Sequence, residues 1–224
     1  MIVGDLKPIE EIVSTIADFR KVLILGCGGC VSVCLTGGDR QAEALARDLN
    51  HTRLYEGEPP EFIVDTIERQ CEPDWLTSFL PLPKDTDAVL SLACGAGVQT
   101  VAAVYDKVNV VPALNTTFMG ANVKPGVWHE MCRGCGDCLL ALTGGICPIA
   151  RCAKSLLNGP CGGTGNGNCE VRYDMPCAWS MIYYKLKKTN QLHRLMEHQA
   201  PRDWRPGGSN GVRELVHPYN KPFG

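Results

Sequence analysis

Residues 22–26 read VLILG, a short apolar run that follows Arg20 and Lys21 and ends at a glycine. A run of this length between such flanks is typical of a strand buried on both faces, as strands of parallel sheets are. The loop CGGC follows at 27–30, so two cysteines come directly after the strand. We therefore expect a parallel sheet in which at least one strand ends in thiol groups.

The sequence around this strand alternates between helical and strand-like patterns. Apolar residues at 3.6-residue spacing predict helices over 8–19 and around 42–49. Further strands are predicted at 61–70, 88–95 and 108–114, and further helices at 73–80 and 98–106. This order predicts an α/β fold, with a small doubly wound, flavodoxin-like parallel sheet that forms a domain over residues 1–122.

A cysteine-rich segment follows this domain. Eight of the thirteen cysteines lie in it, namely Cys132, Cys135, Cys138, Cys147, Cys152, Cys161, Cys169 and Cys177. The segment is rich in glycine and poor in periodic pattern until a helix predicted from Pro176 to about His198, with Asp174 as its cap. It buries too little apolar surface to fold alone, so we expect a metal-stabilised, irregular domain over 123–199 that ends in a helix.

Composition narrows the class of protein. A net charge of −2 and a pI of about 6.2 provide no basic field for nucleic acid. No apolar run reaches the length of a membrane span, and the N-terminus does not resemble a signal peptide. We expect a cytoplasmic, reducing location, where clustered cysteines indicate metal or redox chemistry rather than disulfides.

The spacing of the cysteines indicates which metal group they hold. CRGCGDC at 132–138 places three thiols on one tight loop, as in the 4Fe–4S sites of bacterial ferredoxins. Cys147-Pro148 is similar to the end of a ferredoxin run, although Cys147 lies further from Cys138 than the ferredoxin spacing. Eight cysteines divide naturally into two sets of four, whose members the spacing leaves open. Zinc sites also use Cys-x-x-Cys pairs, but the uneven spacing favours iron–sulfur.

A second group of cysteines is predicted at the strand ends. Cys27 and Cys30 follow the first strand of the predicted sheet, Cys71 follows the second, and Cys94 follows the third. In a flavodoxin-like order the first strand lies between the other two, so these ends converge where open α/β sheets bind ligands. Cys34 lies one helical turn beyond Cys30 and is an alternative to Cys71. The sequence does not decide between them.

Other chemistries find less support in the residues. Cys27-Gly-Gly-Cys30 is compatible with a thiol–disulfide module, but that reading leaves Cys94 without a role. The sequence lacks the third glycine of the dinucleotide fingerprint and a phosphate loop. It also lacks paired carboxylates, a Cys–His pair and a flavin fingerprint. We therefore predict no catalytic residue on this chain. A zinc- or cluster-stabilised scaffold without a redox role is a further alternative.

The last residues, 200–224, are rich in proline and glycine and contain few aliphatic side chains. They predict an extended C-terminal arm that becomes ordered against a partner, with Trp204, Val216, Tyr219 and Phe223 as anchors.

Motifs along the chain resemble those of a known family. They are GCGGCVSVCLTGG, ERQCEPD, LSLACGAGVQT and PALNTTFMG in the first part, and MCRGCGDC, TGGICPIARCAKSLLNGPCGG, NGNCEV and PCAWSMIYYKLK in the second. These stretches, which cover most of residues 20–187, are similar to the MetV-type accessory subunits of methylenetetrahydrofolate reductase.

This resemblance implies an electron-transfer role without a folate site. A MetF-type flavoprotein partner carrying FMN would reduce methylenetetrahydrofolate to methyltetrahydrofolate, and this chain would carry electrons to that flavin through two or three 4Fe–4S clusters. The family's cysteines map onto Cys27, Cys30, Cys71 and Cys94, with Cys34 in the same motif, and onto the eight from Cys132 to Cys177. Ferredoxin, a pyridine-nucleotide-oxidising subunit and a larger bifurcating assembly are all compatible as electron donors.

Overall fold

The computed structural model describes residues 1–79, 81–208 and 211–214. The chain divides into two compact units, an N-terminal unit of Met1–His129 and a C-terminal unit of Glu130–Gly224. Regular strands and helices fill the first, whereas most of the second is irregular. The prediction of an α/β fold rich in cysteine is confirmed. The proposed anchors Val216, Tyr219 and Phe223 lie outside the described residues.

The elements have the following bounds. The strands are β1 (Ile2–Leu6), β2 (Lys21–Cys27), β3 (Glu61–Ile67), β4 (Ala88–Ser91), β5 (Asn109–Pro112), β6 (Leu114–Lys124) and β7 (Val127–Cys132). The helices are α1 (Ile9–Ile16), α2 (Cys30–Val33), α3 (Asp39–His51), α4 (Pro73–Ser78), α5 (Gly95–Val104), α6 (Pro148–Arg151) and α7 (Ala178–Lys188). Short 3₁₀ turns span Leu192–Met196 and Arg205–Gly207.

The parallel sheet has the predicted order. Its strands run β3-β2-β4-β5, so the first strand of the sheet lies between the second and the third. Alternate residues of β2 point to opposite faces, as the pleat requires. Val22 and Ile24 pack with α1 and α3, whereas Leu23 and Leu25 pack with α4 and α5. Helices therefore cover both faces, which is the doubly wound arrangement expected from the sequence.

A second, antiparallel sheet was not predicted. It has the order β1-β6-β7, with Leu6 opposite Leu114 in the β1–β6 pair. Most of β6 is exposed or half-buried, and its sequence LNTTFMGANVK lacks the alternation of apolar and polar residues that identifies a strand. Side chains of this sheet, including Val3 and Leu114, pack with Cys27 and Val31. The second sheet therefore covers the strand ends where the first group of cysteines lies.

Several predicted boundaries are wrong by a few residues. Strand β3 ends at Ile67 rather than 70, because Gln70 turns inward to bind the end of β2. Strand β4 ends at Ser91, and α5 begins at Gly95 rather than 98. In the C-terminal unit, α7 begins after Cys177 and ends at Lys188, so Asp174 is not its cap and Pro176 is not inside it. Asn190, with a φ of 56°, takes the chain out of the predicted helix.

The C-terminal unit has a small core on one face of α7. Trp179, Ile182 and Leu186 are buried there, and Ile146 and Leu195 pack against them. A core of this size stabilises the unit only weakly. Throughout the part of the chain that the structure describes, no helix has both the length and the apolar character needed to cross a membrane.

Candidate metal centres

The first candidate centre lies at the carboxyl ends of the parallel strands. Cys27 is the last residue of β2, Cys30 the first of α2, and Cys94 the residue before α5. Cys71 follows β3 by four residues. Because β2 lies between β3 and β4, the topology brings these ends together, as the sequence predicted. We call Cys27, Cys30, Cys71 and Cys94 the strand-end cysteines.

The pKa of the Cys71 thiol is raised above its usual value. Partial burial is the largest cause, and negative charge on Cys27 and on Cys94 raises the pKa further. These two cysteines lie at the ends of two other strands, β2 and β4. Such mutual repulsion disfavours three free thiolates, and a bound cationic group would relieve it.

Cys34 has a different environment from Cys71. It is 4% exposed, and its Sγ lies 3.5 Å from the Val31 carbonyl oxygen and 3.1 Å from the Thr36 hydroxyl oxygen. It also packs in the same apolar cluster as Cys27 and Cys94. The thiol of Cys34 thus has hydrogen-bonding groups within its own turn, whereas burial and neighbouring cysteines raise the pKa of Cys71. Because of this difference, we expect Cys71 rather than Cys34 to be the fourth ligand at the strand ends.

This preference gives a matched pair of substitutions. If each of three sets of four cysteines holds a [4Fe–4S] cluster, we expect Cys71→Ser to lower the iron content from about 12 to about 8 atoms per chain. Cys34→Ser should leave the iron content unchanged, because serine can make the same hydrogen bonds to Val31 and Thr36. Iron and acid-labile sulfide measured on both purified variants test this. A loss of iron in Cys34→Ser alone would reverse the assignment.

Gln70 supports the strand ends and was not singled out from the sequence. Its side chain is fully buried, and its Nε2 donates to the carbonyl oxygens of Leu25 and Gly26 at 2.8 and 3.1 Å. Its Oε1 accepts from the Ser91 hydroxyl at 2.6 Å. One side chain thus joins the ends of β2 and β4 directly beside Cys71. A lone glutamine between Arg69 and Cys71 carries no signal of this role in the sequence.

The second candidate centre is the loop CRGCGDC. Gly134 and Gly136 have φ angles of 61° and 78°, a left-handed conformation that side chains disfavour. These turns allow the loop to curl tightly around its sulfur atoms. The Gly134 N–H donates to Cys132 Sγ at 3.4 Å, a bond of the kind that tunes cysteine-bound metal groups.

Cys147 directly precedes α6. Arg151 at the end of α6 reaches the Met131 sulfur at 3.6 Å, so α6 is linked to the residue before Cys132. We group Cys147 with the loop on this link and on the sequence order. We call Cys132, Cys135, Cys138 and Cys147 the loop cysteines.

The remaining four cysteines line one cavity. They are Cys152, Cys161, Cys169 and Cys177, which we call the cavity cysteines. Apolar side chains, among them Val171 and Trp179, form part of its wall, and Lys154 and Glu170 also line it. Glu170 pairs with Lys154 and accepts a hydrogen bond from Cys161 Sγ at 3.4 Å. This grouping suggests one division of the eight cysteines into two sets of four, which the spacing left open.

The thiol of Cys177 has a lowered pKa. Burial raises the pKa of its thiol, but hydrogen bonds from the Ser180 N–H and hydroxyl, the Thr164 hydroxyl and the Trp179 N–H together lower the pKa below its usual value. Cys177 directly precedes α7. These donors favour the thiolate, which is the form that binds metal.

The donor set of all three groups is thiolate, which suits iron–sulfur clusters and zinc alike. In the described ranges, no three His, Cys, Asp or Glu side chains are placed so as to hold a single metal ion. A cluster is larger than one ion, and its ligands stand further apart around it. The cavity cysteines supply the sulfur donors that such a group uses, but the space they enclose is about 20 Å³, roughly one water molecule. Their side chains would have to move apart to take up a cluster.

Comparison with protein families addresses the second part of the chain. Residues 111–205 match a family model described as Methylene-tetrahydrofolate reductase C terminal. This region is similar to the C-terminal part of methylenetetrahydrofolate reductase, and the match covers less than half of the chain. The resemblance predicted from the motifs is thereby confirmed, and the matched range contains all loop and cavity cysteines of the domain. Comparisons with curated proteins and with solved structures give no match.

Proposed function

We propose that this chain is an iron–sulfur electron-transfer subunit of a methylenetetrahydrofolate reductase complex. It receives electrons from a low-potential donor and passes them to the flavin of a MetF-type partner, which reduces methylenetetrahydrofolate to methyltetrahydrofolate. The observation that carries the proposal is the cavity lined by four cysteines within the family-matched region. The chain supplies no catalytic residue in this scheme, and it works in the reducing cytoplasm.

Three sets of four thiols support three clusters. The strand-end cysteines would hold one, the loop cysteines a second and the cavity cysteines a third. When bound, a [4Fe–4S] cluster supplies one-electron transfer at a potential set by its hydrogen bonds and burial. This chain's own residues hold the thiolates, donate N–H groups to sulfur and keep water from the cavity walls.

A flavin needs two electrons for full reduction, and clusters deliver them singly. A subunit with several one-electron centres is therefore a suitable partner for a flavoprotein. Ferredoxin or a pyridine-nucleotide-oxidising subunit would supply the electrons. None of the described residues indicates which of these donors binds.

Metal analysis tests the proposal directly. We expect anaerobically purified protein to contain about 12 iron atoms and as much acid-labile sulfide per chain, as three [4Fe–4S] clusters require. Reduction with dithionite should produce EPR signals of paramagnetic clusters. Stoichiometric zinc without iron would contradict the proposal and would favour the alternative of a metal-stabilised scaffold.

The thiol–disulfide alternative has less support at the strand ends. It uses Cys27 and Cys30 alone, yet Cys71 is close enough to Cys27 and Cys94 for their charges to raise its pKa. A two-thiol module would need neither of the additional cysteines. Loss of activity on mild thiol alkylation, with the iron content intact, would revive this alternative.

A further inference from the structure

The beginning of the C-terminal arm returns to the CRGCGDC loop. Arg202 Nη2 lies 3.2 Å from Cys135 Sγ and 3.5 Å from the Cys135 carbonyl oxygen, and it also donates to the Asp137 carbonyl oxygen. Arg213 Nη1 donates to the Gly134 carbonyl oxygen at 3.0 Å and to that of Pro206 at 2.8 Å. Two arginines of the arm therefore bind the backbone of the loop.

The arm and the loop are also in close backbone contact. A Cβ built on Gly136 would lie 2.4 Å from the Pro206 carbonyl oxygen, and one built on Gly207 would lie 3.5 Å from Cys135 Cα. Contacts this short between two main chains need glycine on at least one side. The approach thus depends on Gly136 of the loop, whereas a Cβ at Gly207 would make only ordinary van der Waals contacts.

Arg202 is buried but incompletely paired. Its side chain is 3% exposed, and its nearest carboxylate oxygen, on the 61%-exposed Asp137, is 3.7 Å away. Its Nε and Nη1 are buried and have no hydrogen-bond partner among the described residues. The Trp204 ring lies 5.4 Å from Arg202 Cζ and closes one side. A buried guanidinium is costly without acceptors, so this environment calls for further negative charge near Cys135.

We propose that Arg202 is a positioning residue that tunes the metal group held by the loop cysteines. Its guanidinium donates to the Cys135 thiolate and places a buried positive charge beside the group. The inference rests on the proposed function, because it assumes an iron–sulfur cluster on the loop. It assigns to the arm a role inside this chain, in addition to any role in binding a partner.

The effect follows from the charge-assisted hydrogen bond that Arg202 donates to Cys135. One-electron reduction by an external donor adds one negative charge to the cluster and its thiolates, with no bond made or broken in the protein. A charge-assisted hydrogen bond to a thiolate is stronger when the thiolate carries more negative charge. Arg202 therefore favours the reduced state and raises the reduction potential of this cluster relative to an uncharged neighbour.

The test compares Arg202→Gln with Arg205→Gln in the full-length protein. Both substitutions remove one positive charge from the arm, but Arg205 pairs with Asp203 at the surface, with 70% of its side chain exposed. We expect Arg202→Gln to lower the equilibrium constant for reduction of one cluster about tenfold. This corresponds to a decrease of about 59 mV in its reduction potential for a one-electron couple. Arg205→Gln should leave every cluster unchanged. EPR-monitored redox titration gives the potentials, and iron analysis reports cluster content.

The outcomes separate this inference from the proposed function. A wild-type protein without iron would overturn both. Iron-loaded Arg202→Gln with wild-type potentials would overturn this inference alone. If Arg202→Gln loses iron, Arg202→Lys is titrated in its place. Lysine keeps the charge but lacks the planar fork that reaches the sulfur and both carbonyl groups. A lowered potential of the same cluster in Arg202→Lys then supports the inference, and unchanged potentials overturn it.

Discussion

Cys161→Ser should remove about 4 of about 12 iron atoms per chain and destabilise the C-terminal unit by about 3 kcal/mol or more. Cys161 is exposed at the edge of the cavity and makes a hydrogen bond to Glu170 at 3.4 Å. Serine at an exposed position costs little packing. Any large loss of stability in this variant therefore reports the loss of bound metal.

Cys34→Ser is the matched control for this substitution. It makes the same chemical change at a buried thiol that already has hydrogen-bonding groups of its own turn beside it. Iron analysis and urea denaturation, performed anaerobically on both variants, measure the two effects. If Cys161→Ser retains all iron, the cavity cysteines do not hold a cluster together.

The same variant distinguishes a relay from a scaffold. If the clusters carry electrons, loss of the cavity cluster should slow reduction of the partner's flavin by an artificial low-potential donor. If the metal only stabilises the fold, the variant should be less stable, yet flavin reduction in the intact complex should match the wild-type rate. Gel filtration of the complex before the assay establishes that both subunits are present.

The parallel sheet was predictable because its strands are local and continuous. The run from Val22 to Leu25 is buried on both faces, and such strands need no partner to be recognised. The convergence of Cys27, Cys71 and Cys94 followed from the strand order alone. These parts of the site depend on the topology of a common fold, which short sequence patterns specify well.

The antiparallel sheet was not predictable for the opposite reason. Ile2 pairs with Met119, a partner far along the chain, and much of β6 faces solvent without a regular apolar pattern. The division of the last eight cysteines depended on the path of a glycine-rich chain, which no periodicity describes. Arg202 had no signal either, because its contact with Cys135 joins residues 67 positions apart.

Gln70 was missed because its importance comes from burial rather than from residue type. Glutamine is usually exposed, and nothing in ERQC marks this one as fully buried. Its three hydrogen bonds reach Leu25, Gly26 and Ser91, on strands that are distant in the sequence. A network of this kind can be recognised only after the strands are in place.

Gln70→Ala should therefore destabilise the N-terminal unit by about 3 kcal/mol, because it removes three buried hydrogen bonds, to the Leu25 and Gly26 carbonyl groups and from the Ser91 hydroxyl. Gln99 provides the control for this substitution. Its Nε2 also donates to a carbonyl oxygen, that of Gly95 at 2.9 Å, but on the exposed surface of α5. Gln99→Ala should change the free energy of unfolding by less than about 0.5 kcal/mol. Urea denaturation of the two variants gives the comparison.

The effect of Gln70→Ala should extend to the adjacent metal site. Gln70 holds the ends of β2 and β4 together beside Cys71, so its loss frees the chain that carries three of the strand-end cysteines. We expect Gln70→Ala to lose about 4 iron atoms per chain at moderate urea, before the C-terminal unit releases its iron. Simultaneous release of all iron would show that Gln70 stabilises the fold without a specific effect on the strand-end site.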